Sequence, residues 1–317
     1  MRLVTYDEYL EFIRSHKYVI IEGEYIPIGQ PQRISEYQPR NFVLEFGSVW
    51  SFPERGDWAT HRGDYRGNWA PQIPRNLIIR YTRPGETVLD QMCGSGTTLV
   101  EAKLLGRNAI GVDINYEAVI LTLDRLNFKY NPLNNEYREP NILVYHGDAR
   151  RLELIKDETI DLIATHPPYA NIIPYSKKKT EGDLSRVYNL EEYLEGMREV
   201  AKESYRVLKP GKYCAILIGD TRKHRHYVPI AFRVMQVFLD AGFVLKEDVI
   251  KVQWNVKSTR RKWEGLARTA EQYWGEKPEG KRYWTNFLLI LHEHLFIFRK
   301  PRTDEDLKKI RYSSKWY

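Results

Sequence analysis

From Thr87 onward the chain alternates apolar runs of strand length with helix-length stretches. That alternation confines it to a mostly parallel α/β sheet. The strand runs are residues 88–93, 109–114, 142–147, 160–165, 212–219, 243–253 and 292–299. Helices are predicted over 97–105, 117–129, 190–208 and 228–241, with Lys209-Pro210-Gly211 as the stop of the third. Only the segment 255–287, with no clear helical crossover, separates the last two strands, which predicts an antiparallel end to the sheet. Residues 1–75 read differently, as short turn-punctuated pieces rich in Tyr, Arg, Pro and Trp. The expected organisation is an N-terminal extension (1–75), one α/β domain (76–300) and a tail (301–317).

Hydrophobic residues make up 42% of the 317 and charged residues 29%, a soluble globular balance. No apolar run approaches the ~18 residues of a membrane span. The first residues already carry Arg2, Asp7 and Glu8 rather than the apolar stretch of a signal peptide. Cys93 and Cys214 are the only cysteines, which excludes a disulfide framework and an all-cysteine zinc site. A cytoplasmic location is the expectation. Lys and Arg (49) exceed Asp and Glu (42), for a net charge of +7, and 22 Tyr and 8 Trp accompany them. Phosphate contact plus stacking on nucleic acid uses that combination, and so does the charge-rich surface of a heat-stable protein.

Asp90-Gln91-Met92-Cys93-Gly94-Ser95-Gly96-Thr97-Thr98 reads as a strand end, a glycine turn and a helix start. Glycines there permit positive φ and close approach of a ligand to the backbone. A nicotinamide site favours a third glycine at position 99, where Leu99 stands. Asp113 closes the next strand and can hold the two hydroxyls of a ribose. Asp148 closes the third and can accept from an adenine amino group. Together they describe an adenosine pocket across the carboxyl ends of parallel strands; taken singly, each is an ordinary turn or a solvated carboxylate.

The fourth strand ends in His166-Pro167-Pro168-Tyr169. Neither proline has an N–H, and each drives its predecessor into an extended conformation. The result is a stiff exit from the sheet that exposes the carbonyls of His166 and Pro167, with Tyr169 as a flat face. Such a turn suits the exocyclic amino group of a planar base. A packed structural turn is the bland alternative.

With these motifs in this order the chain resembles the class I S-adenosylmethionine-dependent amino-methyltransferases of nucleic acids, particularly the cytosine-N4/adenine-N6 methylase group. The resemblance covers roughly residues 50–300. It implies a Rossmann-like seven-stranded class I methyltransferase sheet flanked by helices. It also implies S-adenosyl-L-methionine held by Asp90, Gln91, Cys93, Gly94, Gly96, Thr97, Thr98, Asp113, Ile114, Asp148 and Ala149. The stretch 71–78, with Pro74, looks like the family's segment that closes over the methionine end of the cofactor. Two positions depart from the family pattern. Pro-Phe often occurs within the stretch where Gln91-Met92-Cys93 stand, and Asp, Asn or Ser stands where this chain has His166.

The implied reaction is methylation of a cytosine amino nitrogen, with His166, Pro167, Pro168 and Tyr169 as the catalytic turn. Acceptors at His166 and at the Pro167 carbonyl draw the amino hydrogens out of the ring plane and localise the lone pair. His166 has to be neutral to accept, so the rate is expected to fall as pH drops through a histidine pKa in the roughly pH 5–8 window. A base inside a helix has to be flipped or already unpaired to arrive there. No metal is expected: His224 with His226, and His292 with His294, are pairs with no third ligand in view.

Three basic segments are candidate nucleic-acid contacts, or else solvated loops: Lys177, Lys178 and Lys179; Arg222 and Arg225; and Arg260, Arg261, Lys262, Trp263 and Trp284 within 255–287. His61, Arg62, Tyr65, Arg66, Asn68 and Trp69 are expected at the cofactor or substrate rim. With no helix-turn-helix, zinc finger or large recognition insertion in view, a structured ribosomal or transfer RNA is the favoured substrate over DNA. Adenine-N6 or cytosine-N4 modification of DNA, N2-guanine methylation of RNA, and an inactive RNA-gripping protein are the alternatives. No membrane partner is expected.

Overall fold

The computed structural model describes residues 1–132, 137–169, 182–187, 189–223, 226–254, 288 and 290–310. Its strands are β1 (Arg2–Leu3), β2 (Tyr18–Ile21), β3 (Glu24–Pro27), β4 (Val49–Ser51), β5 (Thr87–Asp90), β6 (Asn108–Asp113), β7 (Ile142–His146), β8 (Ile160–Thr165), β9 (Leu208–Ile218), β10 (Thr221–Lys223), β11 (His226–Val228), β12 (Val244–Val252) and β13 (His292–Arg299). Its main helices are α1 (Tyr6–Ser15), α2 (Gln72–Tyr81), α3 (Thr97–Leu104), α4 (Tyr116–Leu126), α5 (Leu190–Val207) and α6 (Ile230–Asp240).

One nine-stranded sheet runs β1-β7-β6-β5-β8-β9-β13-β12-β4. The strands from β7 to β9 are parallel, and β13 inserts antiparallel between β9 and β12. Counted from β5, the seven core strands follow the order 3-2-1-4-5-7-6, the class I methyltransferase order with its antiparallel seventh strand.

All six residues of β8 are buried, as befits a parallel strand covered on both faces. On one face α2 and α4 bury Ile73, Leu77 and Val119. On the other, α5 and α6 bury Tyr193, Met197 and Phe238 against β9 and β13. The buried positions of α5 recur at helical spacing, and Asn189 caps its first turn.

The structure adds to or departs from the sequence reading at three points. The helix α5 ends at Val207, at the expected stop, but Lys209-Pro210-Gly211 does not lie between helix and strand. The strand starts directly at Leu208, and these residues form a bulge inside β9, with Gly211 at φ +80°. The N-terminal segment joins the sheet at both edges: β1 pairs antiparallel with β7 and β4 pairs parallel with β12, covering what are otherwise open strand edges. The stretch 71–78, expected to close over the cofactor, is mostly the helix α2, whose Ile73, Leu77 and Ile78 are wholly buried in the core. Its apolar positions fall at i, i+4 and i+5, and that pattern packs a helix rather than shaping a flap.

A buried charge cluster fastens residues 58–75 to the core. The fully buried carboxylate of Glu101 on α3 accepts from the Trp58 indole (2.6 Å), His61 Nε2 (2.7 Å) and Arg75 Nη1 (2.8 Å). His61 therefore serves as a buried anchor, not as part of the ligand rim. Arg62 and Arg66 point to Gln32 and Glu22 near the surface. Among the described residues no helix is long and apolar enough to cross a membrane.

Candidate active site

A cavity opens at the carboxyl ends of β5, β6, β7 and β8. Of the residues assigned in sequence, Asp90, Gln91, Cys93, Gly94, Thr97, Asp113, Ile114, Asp148, Ala149, His166 and Pro168 line it. Gly96, Thr98, Pro74, Pro167 and Tyr169 do not reach it.

The glycine turn is built around two carboxylates. Gly94 adopts φ +53° and Gly96 φ +79°, conformations that side-chain-bearing residues adopt rarely. Asp113 accepts from the Gly94 amide on Oδ2 and from the Asn115 amide on Oδ1, each over 2.8 Å. Asp90 accepts from the hydroxyls of Thr98 (2.5 Å) and Thr165 (2.9 Å) and from the Met92 amide. Burial raises both carboxyl pKa values to about 6, against the pull of these hydrogen bonds. Thr98 thus acts through Asp90 rather than facing the cavity. The Gln91 amide turns inward to Ser204 on α5, so only the rest of that residue faces the cavity. The Cys93 thiol is buried and pushed up in pKa, an inert packing group.

Asp148 lies at the third strand tip, where Arg150 grips both of its oxygens through Nε and Nη2. Gly182 closes over this pair at φ +94°, and a Cβ there would stand 2.7 Å from Asp148 Oδ2. Asp183 and Leu184 continue the wall. No signal in the sequence marks these three residues, which return to the cavity after a long excursion in the chain.

At the far end His166 lines the cavity with Trp69 stacked beside it, ring centroids 6.0 Å apart and planes at 23°. Tyr65, Asn68 and Trp69 reach the cavity, so residues 65–69 supply the wall expected of 71–78. Tyr169 is placed differently from the expected lid. Its hydroxyl lies 2.8 Å from His166 Nε2 and donates to Glu293 Oε1 over 2.5 Å, behind the histidine. Lys251 Nζ holds the other oxygen of Glu293 at 2.8 Å. The Pro168 carbonyl accepts from the Tyr193 hydroxyl at 2.9 Å. Burial lowers His166 to about 4, although Glu293 pulls it upward, so it is neutral throughout pH 5–8. That shift moves the expected titration of His166 toward the acid side of that window. Glu293 and Lys251 are the polar members missed in sequence; an acid between two histidines in an otherwise apolar strand was their one visible signal.

S-adenosylmethionine fits this donor set. Glycine backbone lines one side of the cavity, and carboxylates stand at two successive strand tips for ribose and base. Asp113, Asp148, Gly94 and the Tyr65–Trp69 wall are the residues that would hold it.

Of the candidate nucleic-acid contacts, Arg222 lies on β10, donates to the Leu288 carbonyl (3.0 Å) and covers the Tyr227 ring. Lys177, Lys178, Lys179, Arg225, Arg260, Arg261, Lys262, Trp263 and Trp284 lie outside the described residues. Among the described residues no group of three metal-ligating side chains comes together.

Strand order, glycine turn and strand-tip acids define the class I S-adenosylmethionine-dependent methyltransferase arrangement. The family model described as DNA methylase matches residues 3–123 and 160–316, and a model described as an RMKL-like methyltransferase domain matches 78–207. The chain belongs to the DNA methylase family. It is 32% identical over 118 residues to a tRNA (guanine(10)-N2)-dimethyltransferase of Methanothermobacter thermautotrophicus, covering 37% of this chain and 32% of that one. It is 26% identical over 139 residues to type II methyltransferase M.MjaI of Methanocaldococcus jannaschii, covering 40% and 46%. It is 48% identical over 96 residues to type II methyltransferase M1.MboII of Moraxella bovis, covering 27% and 34%. The chain thus spans less than half the length of each of these relatives.

Proposed function

We propose that this chain methylates the exocyclic N4 amino group of cytosine in nucleic acid, with a structured RNA, ribosomal or transfer RNA, as substrate. The observation that carries the reading is the placement of His166, at the stiff Pro-Pro exit of β8, in the wall of the cavity that also holds Asp113 and the glycine turn. S-adenosylmethionine, when bound, supplies an electrophilic methyl group on a sulfonium.

The chain's own residues do the rest. His166, neutral at working pH, accepts a hydrogen bond from the target amino group and draws its hydrogens out of conjugation. Of the two acceptors expected of the turn, His166 is the one that reaches the cavity. Trp69, stacked on His166, offers a flat face for the base. The Pro-Pro exit and the Tyr193 hydrogen bond to Pro168 keep the turn rigid, which holds the amino nitrogen in line for attack. The ordered acceptor at the end of the cavity supports an enzyme over an inert RNA-gripping protein.

RNA is favoured because the sequence shows no groove-reading module, and a folded RNA presents an unpaired cytosine by shape. The tRNA-modifying relatives favour a second reading, guanine N2 in RNA, and the type II relatives favour DNA. Transfer of tritiated methyl from S-adenosylmethionine to total RNA and to DNA, followed by identification of the labelled nucleoside, tests all three. Label in N4-methylcytidine of RNA supports the proposal; label in N2-methylguanosine or in DNA overturns it.

A further inference from the structure

Residues 62–69 carry Tyr65, Gly67, Asn68 and Trp69 into the cavity wall, yet no helix or strand holds them there. Their backbone is gathered instead on one guanidinium. Arg55 Nη1 donates to the Trp69 carbonyl (2.7 Å) and, at longer range, to that of Asn68 (3.4 Å), and Nη2 donates to that of Arg62 (3.4 Å). The Arg62 carbonyl also accepts from Asn68 Nδ2 (2.9 Å), which reaches Ser95 Oγ in the glycine turn (3.4 Å). Tyr65 packs on the same turn: a Cβ at Gly94 would stand 2.9 Å from its ring. Arg55 is itself bracketed by the side chain of Gln72, at the start of α2. That amide donates to the Glu54 carbonyl (2.9 Å) and accepts from the Gly56 backbone N–H (3.3 Å). Holding the loop this way is costly. Asp64, the acid that supports the charge on Arg55, is already engaged by Arg125 (2.7 Å). Arg55 Nε is buried with no hydrogen-bond partner, and burial lowers the guanidinium to about 10. A buried donor left unpaired costs stability, so stability alone does not account for an arginine here. A planar fork does, because its two terminal nitrogens meet carbonyls from both ends of the loop at once.

We propose that Arg55 is a positioning residue of the methyltransferase site: by drawing the carbonyls of Arg62, Asn68 and Trp69 to one point, it sets Asn68 against the glycine turn on the cofactor side and Trp69 against His166 on the other. Arg55 does not itself line the cavity and acts only through the loop it gathers. Its role is the same whichever base is methylated.

Isothermal calorimetry of the full chain with S-adenosylhomocysteine, with thermal unfolding of each variant alongside, tests this without a nucleic-acid substrate. Arg55→Lys keeps the charge but brings one nitrogen where two are used. It is expected to weaken binding roughly 10- to 100-fold, the scale of hydrogen bonds made by a charged group, with an unfolding temperature close to that of wild type. Arg55→Ala is expected to lose at least as much affinity and to regain it on addition of millimolar guanidinium chloride, far below denaturing levels. Ammonium chloride at the same concentration does not restore it, and neither salt changes wild-type binding. Guanidinium refills a planar donor position, whereas a general loss of stability is not repaired by a denaturant. Wild-type affinity in Arg55→Lys overturns the proposal, and so does an affinity loss in Arg55→Ala that guanidinium leaves unrepaired. If Arg55→Ala fails to fold, Arg55→Lys decides: weaker binding at an unchanged unfolding temperature supports the role, and binding lost only in step with the unfolding temperature overturns it.

Discussion

The backbone amide of Gly94 donates to Oδ2 of Asp113 over 2.8 Å, so the glycine turn and the tip of the neighbouring strand form one rigid unit. The same carboxylate is the proposed ribose acceptor. Its replacement should be felt in both roles: Asp113→Ala is expected to weaken S-adenosylhomocysteine binding by about 1–3 kcal/mol, the range for a charged hydrogen bond. Isothermal calorimetry measures it, and unchanged affinity removes Asp113 from the site.

The raised pKa of Asp113 and of Asp90, each about 6, makes the same site pH-sensitive. Only the ionised form accepts on all its lone pairs, so cofactor affinity should fall as pH drops from 7.5 through 6 to 5. For the free protein the sign is opposite. A carboxyl whose folded pKa is raised stabilises the fold fully below its unfolded value of about 3.9, and that contribution is lost as pH rises through 6. Calorimetry across this range with Asp113→Asn as the control tests the point; an affinity that holds constant to pH 5 would show that neither carboxylate binds as an anion.

His166→Ala should abolish or sharply reduce methyl transfer while leaving cofactor affinity nearly intact, because His166 faces the far end of the cavity from Asp113. With its pKa lowered to about 4, the wild-type rate should not vary with His166 ionisation between pH 5 and pH 8, and should drop only as pH falls toward 4. A rate inflection near pH 6.5 traceable to His166 contradicts this placement, provided methyl transfer is shown to be rate-limiting.

Glu101 is the sole carboxylate joined to Trp58, His61 and Arg75 in their buried cluster among the hydrogen bonds of the described residues. Glu101→Ala leaves the Arg75 guanidinium buried without its counter-charge and should cost about 3–5 kcal/mol. Urea unfolding reads this; a loss under about 1 kcal/mol would mean that the segment carrying Trp58 and His61 is not fastened by charge.

Much of this architecture was legible in the sequence because parallel strands buried on both faces leave continuous apolar runs. The runs 160–165 and 292–299 match β8 and β13. Leu99, which argued against a nicotinamide site, packs wholly buried near Gly111 of β6. The edge strands β1 and β4 were not legible: two or three residues carry no periodicity, and their partners are more than 100 positions away by register (Arg2 with His146, Val49 with Ile250). The cavity wall at 65–69 was visible only as aromatic and polar composition. The polar cluster behind His166 was invisible because its members, Tyr169, Lys251 and Glu293, meet only after the antiparallel β13 has been inserted beside β12.

The proposed product of this chain is N4-methylcytidine in a structured RNA. The most direct measurement is deletion of the gene, followed by nuclease digestion of ribosomal RNA, transfer RNA and genomic DNA and mapping of modified nucleosides by mass spectrometry. N4-methylated cytidine is expected to disappear from one position of an RNA, with genomic DNA unchanged. Loss of the modified base from DNA with RNA unchanged, or loss of an N2-methylguanosine instead, contradicts it.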